Sequence, residues 1–246
     1  LNGAGIVEKT GTTTTTLTNT ASSVGTMNVK AGTLALAQNG TFTAGTYTTE
    51  TGATTTIGSS SKLDVNGTFT QAAGSTLTVG IGLNAPAITA DTAFLDGTLA
   101  VSGVNTSNSL KASELHGKQF TLLETSGGIT GDFSSISFGT ASSPADYLTL
   151  AGWKSADTLS YSVGMGLTWL ADSQNGNGVF TLSTTTDAFN VDLALADQSG
   201  SFTSGWNGTD LTKNGDGTLT LSAVNTYTGT TTVNGGTLVA GIDNAF

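Results

Sequence analysis

Cysteine is absent from this chain, so no disulfide framework holds it together and its stability must come from packing and backbone hydrogen bonds. Long apolar runs are missing too: nothing approaches the roughly 18 consecutive apolar residues of a membrane-spanning helix. Charge is scarce, at 10% of residues, and one-sided, with seventeen Asp plus Glu against seven Lys plus Arg and a net charge of −10. No basic cluster occurs anywhere, which argues against nucleic acid as a partner, since phosphate binding needs concentrated cations. Prolines number only two, Pro86 and Pro144, and histidine only one, His116.

What remains is strand-forming and turn-forming material. Threonine is the commonest residue, glycine follows with 34, and 37% of the chain is hydrophobic. Disordered chains are poor in hydrophobics and rich in charge, and this chain is neither. Apolar residues alternate with polar ones over short runs, as in Leu34-Ala35-Leu36, Leu63-Asp64-Val65, Phe180-Thr181-Leu182 and Val191-Asp192-Leu193-Ala194-Leu195. Such alternation marks half-buried strands.

The stretch from Leu211 to Leu238 lies over Val7 to Leu34 without a gap, at an offset of 204 residues. Agreement falls on Gly11 with Gly215, Leu17 with Leu221, Gly25-Thr26 with Gly229-Thr230, Val29 with Val233, and Gly32-Thr33-Leu34 with Gly236-Thr237-Leu238. A backbone geometry is being repeated, and internal repeats of this kind indicate a solenoid. A shorter phrase, Gly-Thr-apolar, recurs at Gly25, Gly32, Gly40, Gly67, Gly97, Gly217 and Gly236. Glycine supplies the bend and the following residues alternate on a strand.

These features predict an all-β chain, a right-handed parallel β-helix (β-solenoid) with an irregular, hairpin-elaborated middle section. With coils of ~20 to 27 residues, about ten coils would give a rod on the order of 45 to 50 Å at ~4.8 Å per winding. No linker or shift in composition divides the sequence, so residues 1–246 are expected to form one elongated unit, elaborated over 103–208. Within that block, strands are expected at Lys118–Glu124, Asp132–Phe138, Tyr147–Leu150, Thr158–Leu170, Gly178–Ser183 and Phe189–Leu195, with a turn at Gly127-Gly128. Ser109 to His116 has helical character. The first residues lack the basic start and apolar middle of a signal peptide. The second repeat copy breaks off at Gly241–Phe246 without a polar cap, so a piece of a longer precursor is expected.

The phrase Asn225-Thr226-Tyr227-Thr228-Gly229-Thr230-Thr231-Thr232-Val233-Asn234-Gly235-Gly236-Thr237-Leu238, led in by Leu211 to Leu219, resembles the strand repeat of autotransporter passenger domains. The middle block is similar to such passengers in Gly128 to Phe133, Tyr147 to Leu150 and Tyr161 to Trp169. The first copy is more degenerate, with Ala21-Ser22-Ser23-Val24 where the second has Asn-Thr-Tyr-Thr. The resemblance implies a bacterial surface adhesin of the AIDA/antigen 43 type, exported through the outer-membrane translocator barrel of its own precursor. Its localisation would be extracellular, anchored through that barrel or released. It would contact other copies of itself or host surface glycans and proteins, in adhesion, self-association or biofilm formation. A second reading makes the 103–208 block an intramolecular folding and secretion aid.

No catalytic, cofactor-binding or metal-ligating residue emerges, and the chain is expected not to be an enzyme. A Ser-His-Asp triad could be built only on His116, whose neighbours offer no nucleophile elbow; a loop histidine is the expected reading. Asp64, Asp91, Asp96 and Asp132 are too dispersed for the clustered carboxylates of a carbohydrate-active β-helix enzyme, the third reading. Asn214 to Leu219 partly resembles a calcium nonapeptide, but only one copy is present, so a turn is expected. The runs Thr12–Thr16, Thr54–Thr56 and Thr230–Thr232 invite comparison with ice-binding solenoids, whose coil length is nearly constant; here the phrase spacing is irregular and the threonines read as outward strand residues. Trp153, Trp169, Trp206, Tyr147 and Tyr161 could form a ligand patch, with core packing the expected role.

Overall fold

In the computed structural model the described residues are 1–82, 86–104, 110–116, 119–171 and 175–246, His116 by its backbone alone. They fall into two compact units. The first comprises the described parts of Leu1–Val104, Phe120–Ala141 and Gly152–Val163, the second those of Asn105–Gln119, Ser142–Ala151 and Gly164–Phe246. Each has its own apolar core.

Strands follow the alternation read from the sequence. Successive windings of the first unit contribute β1 (Ile6–Lys9) and β2 (Thr14–Leu17), β3 (Ala21–Val29) and β4 (Thr33–Leu36), β5 (Thr41–Thr49) and β6 (Thr54–Ile57), β7 (Lys62–Gln71) and β8 (Thr76–Gly80), and β9 (Ile88–Leu95) and β10 (Thr98–Ser102). After the one-turn helix α1 (Ala112–His116) come β11 (Phe120–Thr125), β12 (Ile129–Gly131) and β13 (Ser135–Ser137). The long strands β1, β3, β5, β7, β9 and β11 pair side by side, and so do the short strands β2, β4, β6, β8, β10 and β13. All these pairs are parallel. Partners through β10 sit 19 to 25 residues apart, from Thr14 against Thr33 to Leu63 against Ile88. This is a parallel β-solenoid.

In-register pairing turns sequence alternation into ladders running from winding to winding. Leu17, Leu36, Ile57, Val79 and Val101 form one column, and all but Leu17 are buried. Phe42, Tyr47 and Phe69 are fully buried, with Tyr47 edge-on to Phe42 at 6.3 Å between ring centres. Burial of each such ring stabilises by roughly 1.5 to 3 kcal/mol. One polar knot interrupts the core: the Thr55 hydroxyl lies 3.0 Å from the Tyr47 hydroxyl and 2.8 Å from that of Thr49.

The long strands bend at a column of glycines. A Cβ on Gly45 would stand 2.4 Å from the Gly25 carbonyl oxygen, one on Gly67 2.7 Å from that of Gly45, and one on Gly25 2.1 Å from that of Ala4. Consecutive windings approach so closely at this corner that no side chain fits between them.

The middle section is irregular, with the expected antiparallel element. β14 (Leu148–Lys154) and β15 (Ser160–Leu167) follow β13, and β15 runs antiparallel to β11 with Phe120 opposite Val163. Several expected strands are shorter than read. Asp132–Phe138 contracts to β13 because the Asp132 carboxylate accepts the Phe133 N–H at 2.8 Å, a local bond that competes with the ladder. Thr158–Leu170 begins at Ser160, since Thr158 takes a φ of 60°, and ends at Leu167, where a 3-10 turn over Thr168–Leu170 takes over.

The second unit closes three further windings: β16 (Val179–Thr181) with β17 (Ala188–Val191), β18 (Leu211–Asn214) with β19 (Thr218–Leu221), and β20 (Thr231–Val233) with β21 (Thr237–Ala240). Parallel pairing aligns Phe189, Leu219 and Leu238 in one column and Val191, Leu221 and Ala240 in the next. The expected strand to Leu195 stops at Val191. Beyond it, the buried Leu195 N–H donates to the Asn225 side chain at 2.7 Å instead of to a ladder.

Candidate functional site

The short-strand sheet of the first unit presents two outward rows. Thr14, Thr33, Thr54, Thr76, Thr98 and Ser135 form one; Thr16, Ala35, Thr56, Thr78, Ala100 and Ser137 form the other. All are exposed or half-exposed, and the six strands contain no charged residue. Beyond the glycine corner, Thr26 pairs with Thr46 and Thr68 pairs with Thr92. Some of these hydroxyls bond one another: Thr46 donates to Thr26 at 3.2 Å, and Thr68 and Thr92 lie 2.9 Å apart, as do Thr98 and Ser135. A hydroxyl is both donor and acceptor. The result is a neutral, hydrogen-bonding wall on a chain of net charge −10.

Three of the four dispersed aspartates have hydrogen-bond partners of their own. The Asp64 carboxylate accepts from the Thr89 hydroxyl at 2.5 Å, Asp96 caps the Gly97 N–H at 2.6 Å, and Asp91 is exposed. Asp132 accepts from the Tyr161 hydroxyl at 3.0 Å and lies 3.5 Å from the Lys154 ammonium. Among the described residues, no three His, Cys, Asp or Glu side chains gather to hold a metal ion. His116 ends α1, and its side chain lies outside the described residues. Of the aromatic group, Trp169 is fully buried and stands 4.6 Å from Trp206 and 5.3 Å from Tyr227 between ring centres. Its indole N–H donates to the Ala196 carbonyl at 2.9 Å. Tyr161 is buried against Phe133, so these rings pack cores, while Trp153 is half-buried on β14.

The repeat carries a feature its glycines and threonines conceal. Lys213 is fully buried, and its ammonium donates to the carbonyls of Asn214, Gly215 and Gly235, at 2.9, 2.7 and 3.1 Å. Lys9, its counterpart at the same offset, donates to the carbonyls of Gly11 and Ala31. In both copies one lysine ties the turn of its own winding to the turn of the next. The turn at Asn214–Gly217 is thus organised around an internal ammonium, with Gly215 at φ 78°. Burial pushes the Lys213 ammonium below its ordinary value, and the Asp216 charge opposes that shift.

Two acids that composition and motifs did not single out do share a site. Asp146 and Asp187 line one cavity of about 510 Å³ in the second unit, together with Tyr147. They are far apart in the chain and belong to no motif; only the folded windings bring them together.

Residues 7–36 and 211–240 match the passenger-associated-transport-repeat family. Both segments cover matching parts of the solenoid: Thr14–Leu17 and Thr33–Leu36 in the first become Thr218–Leu221 and Thr237–Ala240 in the second. No curated protein and no solved structure matches the chain. Among the described residues, no helix is long and apolar enough to cross a membrane.

Proposed function

We propose that this chain, which carries two passenger-associated-transport repeats on a β-solenoid and so reads as part of an autotransporter passenger domain, works by contact. Passenger domains are secreted to the cell surface. There the neutral hydroxyl wall would meet other copies of the chain or host surface glycans and proteins, giving adhesion or self-association. The translocator barrel of the same precursor is its other partner. Individual hydroxyl contacts are weak, but a regular array repeated over many copies per cell multiplies them through avidity.

The observation that carries this reading is the pairing of the transport repeat with six uncharged, outward-facing strands. A non-enzymatic role is supported by the state of Asp187 in the cavity it shares with Asp146. Hydrolysis of a glycosidic bond needs a carboxylic acid whose pKa is raised. Hydrogen bonds from the Thr184 N–H and the Thr184 hydroxyl hold the Asp187 carboxyl below its ordinary range instead.

Display of the chain on a non-aggregating bacterium, fused to a translocator barrel, tests the proposal. Displaying cells should settle faster or adhere to glycan-coated surfaces. The quadruple variant Thr54→Glu, Thr56→Glu, Thr76→Glu, Thr78→Glu should return them to the baseline while leaving surface levels unchanged. Settling and adherence equal to those of non-displaying cells would count against it.

A further inference from the structure

The cavity of about 510 Å³ in the second unit has a composition unlike the hydroxyl wall. Its lining includes the carboxylates Asp146 and Asp187, the phenol of Tyr147, hydroxyls of Thr181 and Thr186, and apolar Leu110. Among the described residues that line it there is no lysine, arginine or histidine. The volume falls within the range of about 300 to 1,000 Å³ usual for small-ligand sites, and is far larger than a bare metal ion fills.

Tyr147 is the most informative member. It is only 9% exposed, and its ring is stacked on Phe180 at 5.5 Å and tilted against Phe189 at 4.7 Å between centres. Tyr147 lines the cavity and brings a hydroxyl to it. Among the described residues that hydroxyl has no hydrogen-bond partner. Burial raises the Tyr147 pKa, and the charges of Asp146 and Asp187 raise it further, so both carboxylates lie within electrostatic reach of the phenol oxygen.

The protein already uses part of each carboxylate. Asp146 Oδ1 accepts the Thr181 N–H at 3.0 Å and Asp187 Oδ2 accepts the Thr184 N–H at 2.8 Å. These bonds hold one oxygen of each carboxylate. What is presented is two negative charges, a neutral phenol oxygen and several hydroxyls, with an apolar side. Anions such as uronic acids, sialic acids and phosphates would be repelled. A primary ammonium has a compensating charge and three N–H donors for these oxygens.

We propose that this cavity binds a small polar ligand carrying a primary ammonium, of the size of an amino sugar or a diamine. The site is separate from the hydroxyl wall, and either can fail without the other.

Isothermal titration of the whole chain with glucosamine and with cadaverine at neutral pH and low salt tests it, with N-acetylglucosamine and galacturonic acid as comparisons. At least one amine should bind, and N-acetylation, which removes the charge while keeping the sugar, should weaken binding at least tenfold. Glucosamine alone binding assigns an amino sugar; both binding assigns the ammonium itself. Asp146→Asn keeps the Oδ1 acceptor for Thr181 and should weaken amine binding about tenfold. Tyr147→Phe keeps the ring packing and should weaken it several-fold, so folding and binding are separable. Absence of heat with either amine would overturn the proposal, as would equal binding of N-acetylglucosamine, displacement of the amine by calcium with tighter binding of calcium alone, or unchanged affinity in both variants.

Discussion

Gly45→Val should cost the first unit about 3 kcal/mol or more of stability, at the upper end of what overpacking does. The added Cβ would lie 2.4 Å from the Gly25 carbonyl oxygen. That oxygen belongs to the backbone of the neighbouring winding and cannot rotate aside as a side chain would. Strain from a left-handed backbone is not the cause, because Gly45 is outside the positive-φ glycines. The cost is pure close approach, so windings must part for the residue to fit. Gly3→Ala is the matched control: nothing lies within 4 Å of its added Cβ, and its effect should stay within about 0.5 kcal/mol. Urea melts followed by circular dichroism, with limited proteolysis to locate the loosened region, measure both. Equal stability of the two variants would mean the windings do not approach at that corner.

Lys213→Met should cost about 2 to 4 kcal/mol, since it deprives buried carbonyls of their donor while preserving side-chain volume. Gly235 belongs to the winding after that of Lys213, so the loss falls on the coupling between windings. Lys9→Met should cost less, because Lys9 is 8% exposed where Lys213 is 0% exposed. The pH dependence separates a lost ammonium from lost packing. With the native pKa of Lys213 held below its ordinary 10.5 by burial, the native chain binds fewer protons than the unfolded chain between those two values. Stability therefore rises with pH across that window in the parent chain. The methionine variant should lack this rise. A variant as stable as the parent, or one with the same alkaline slope, would show that the ammonium does not clamp the turns.

Much of the architecture could be read from residue spacing. Thr33, Thr41, Thr98, Thr218 and Thr237, each preceded by glycine, open strands where the Gly-Thr phrase placed them. The offset of 204 residues carries β2 onto β19 and β4 onto β21 residue for residue. Both successes share one cause: in a solenoid, each winding repeats the same local bend and the same alternation, so local sequence reports global position. The lysine clamp was legible too, since two of only seven basic residues fall at equivalent repeat positions, yet attention to glycine, threonine and aliphatic identities passes over it. Strand ends in the irregular section were not legible. They depend on side chains such as Asp132 and Asn225 capturing backbone N–H groups, a competition that alternation does not encode. The cavity of Asp146, Tyr147 and Asp187 was invisible for a different reason, because its members come from separate segments joined only by packing.

Distances between paired spin labels test the winding most directly. The chain has no cysteine, so cysteine pairs can be placed without background. Thr14, Thr33, Thr54, Thr76 and Thr98 occupy one outward row on successive windings. Backbone separations from Thr14 should grow in equal steps of ~4.8 Å, reaching about 14 Å at Thr76 and about 19 Å at Thr98, with label separations by dipolar spectroscopy increasing in that order. Distances that fail to increase along the row, or that place Thr98 nearer to Thr14 than Thr54 is, would contradict the stacked parallel windings.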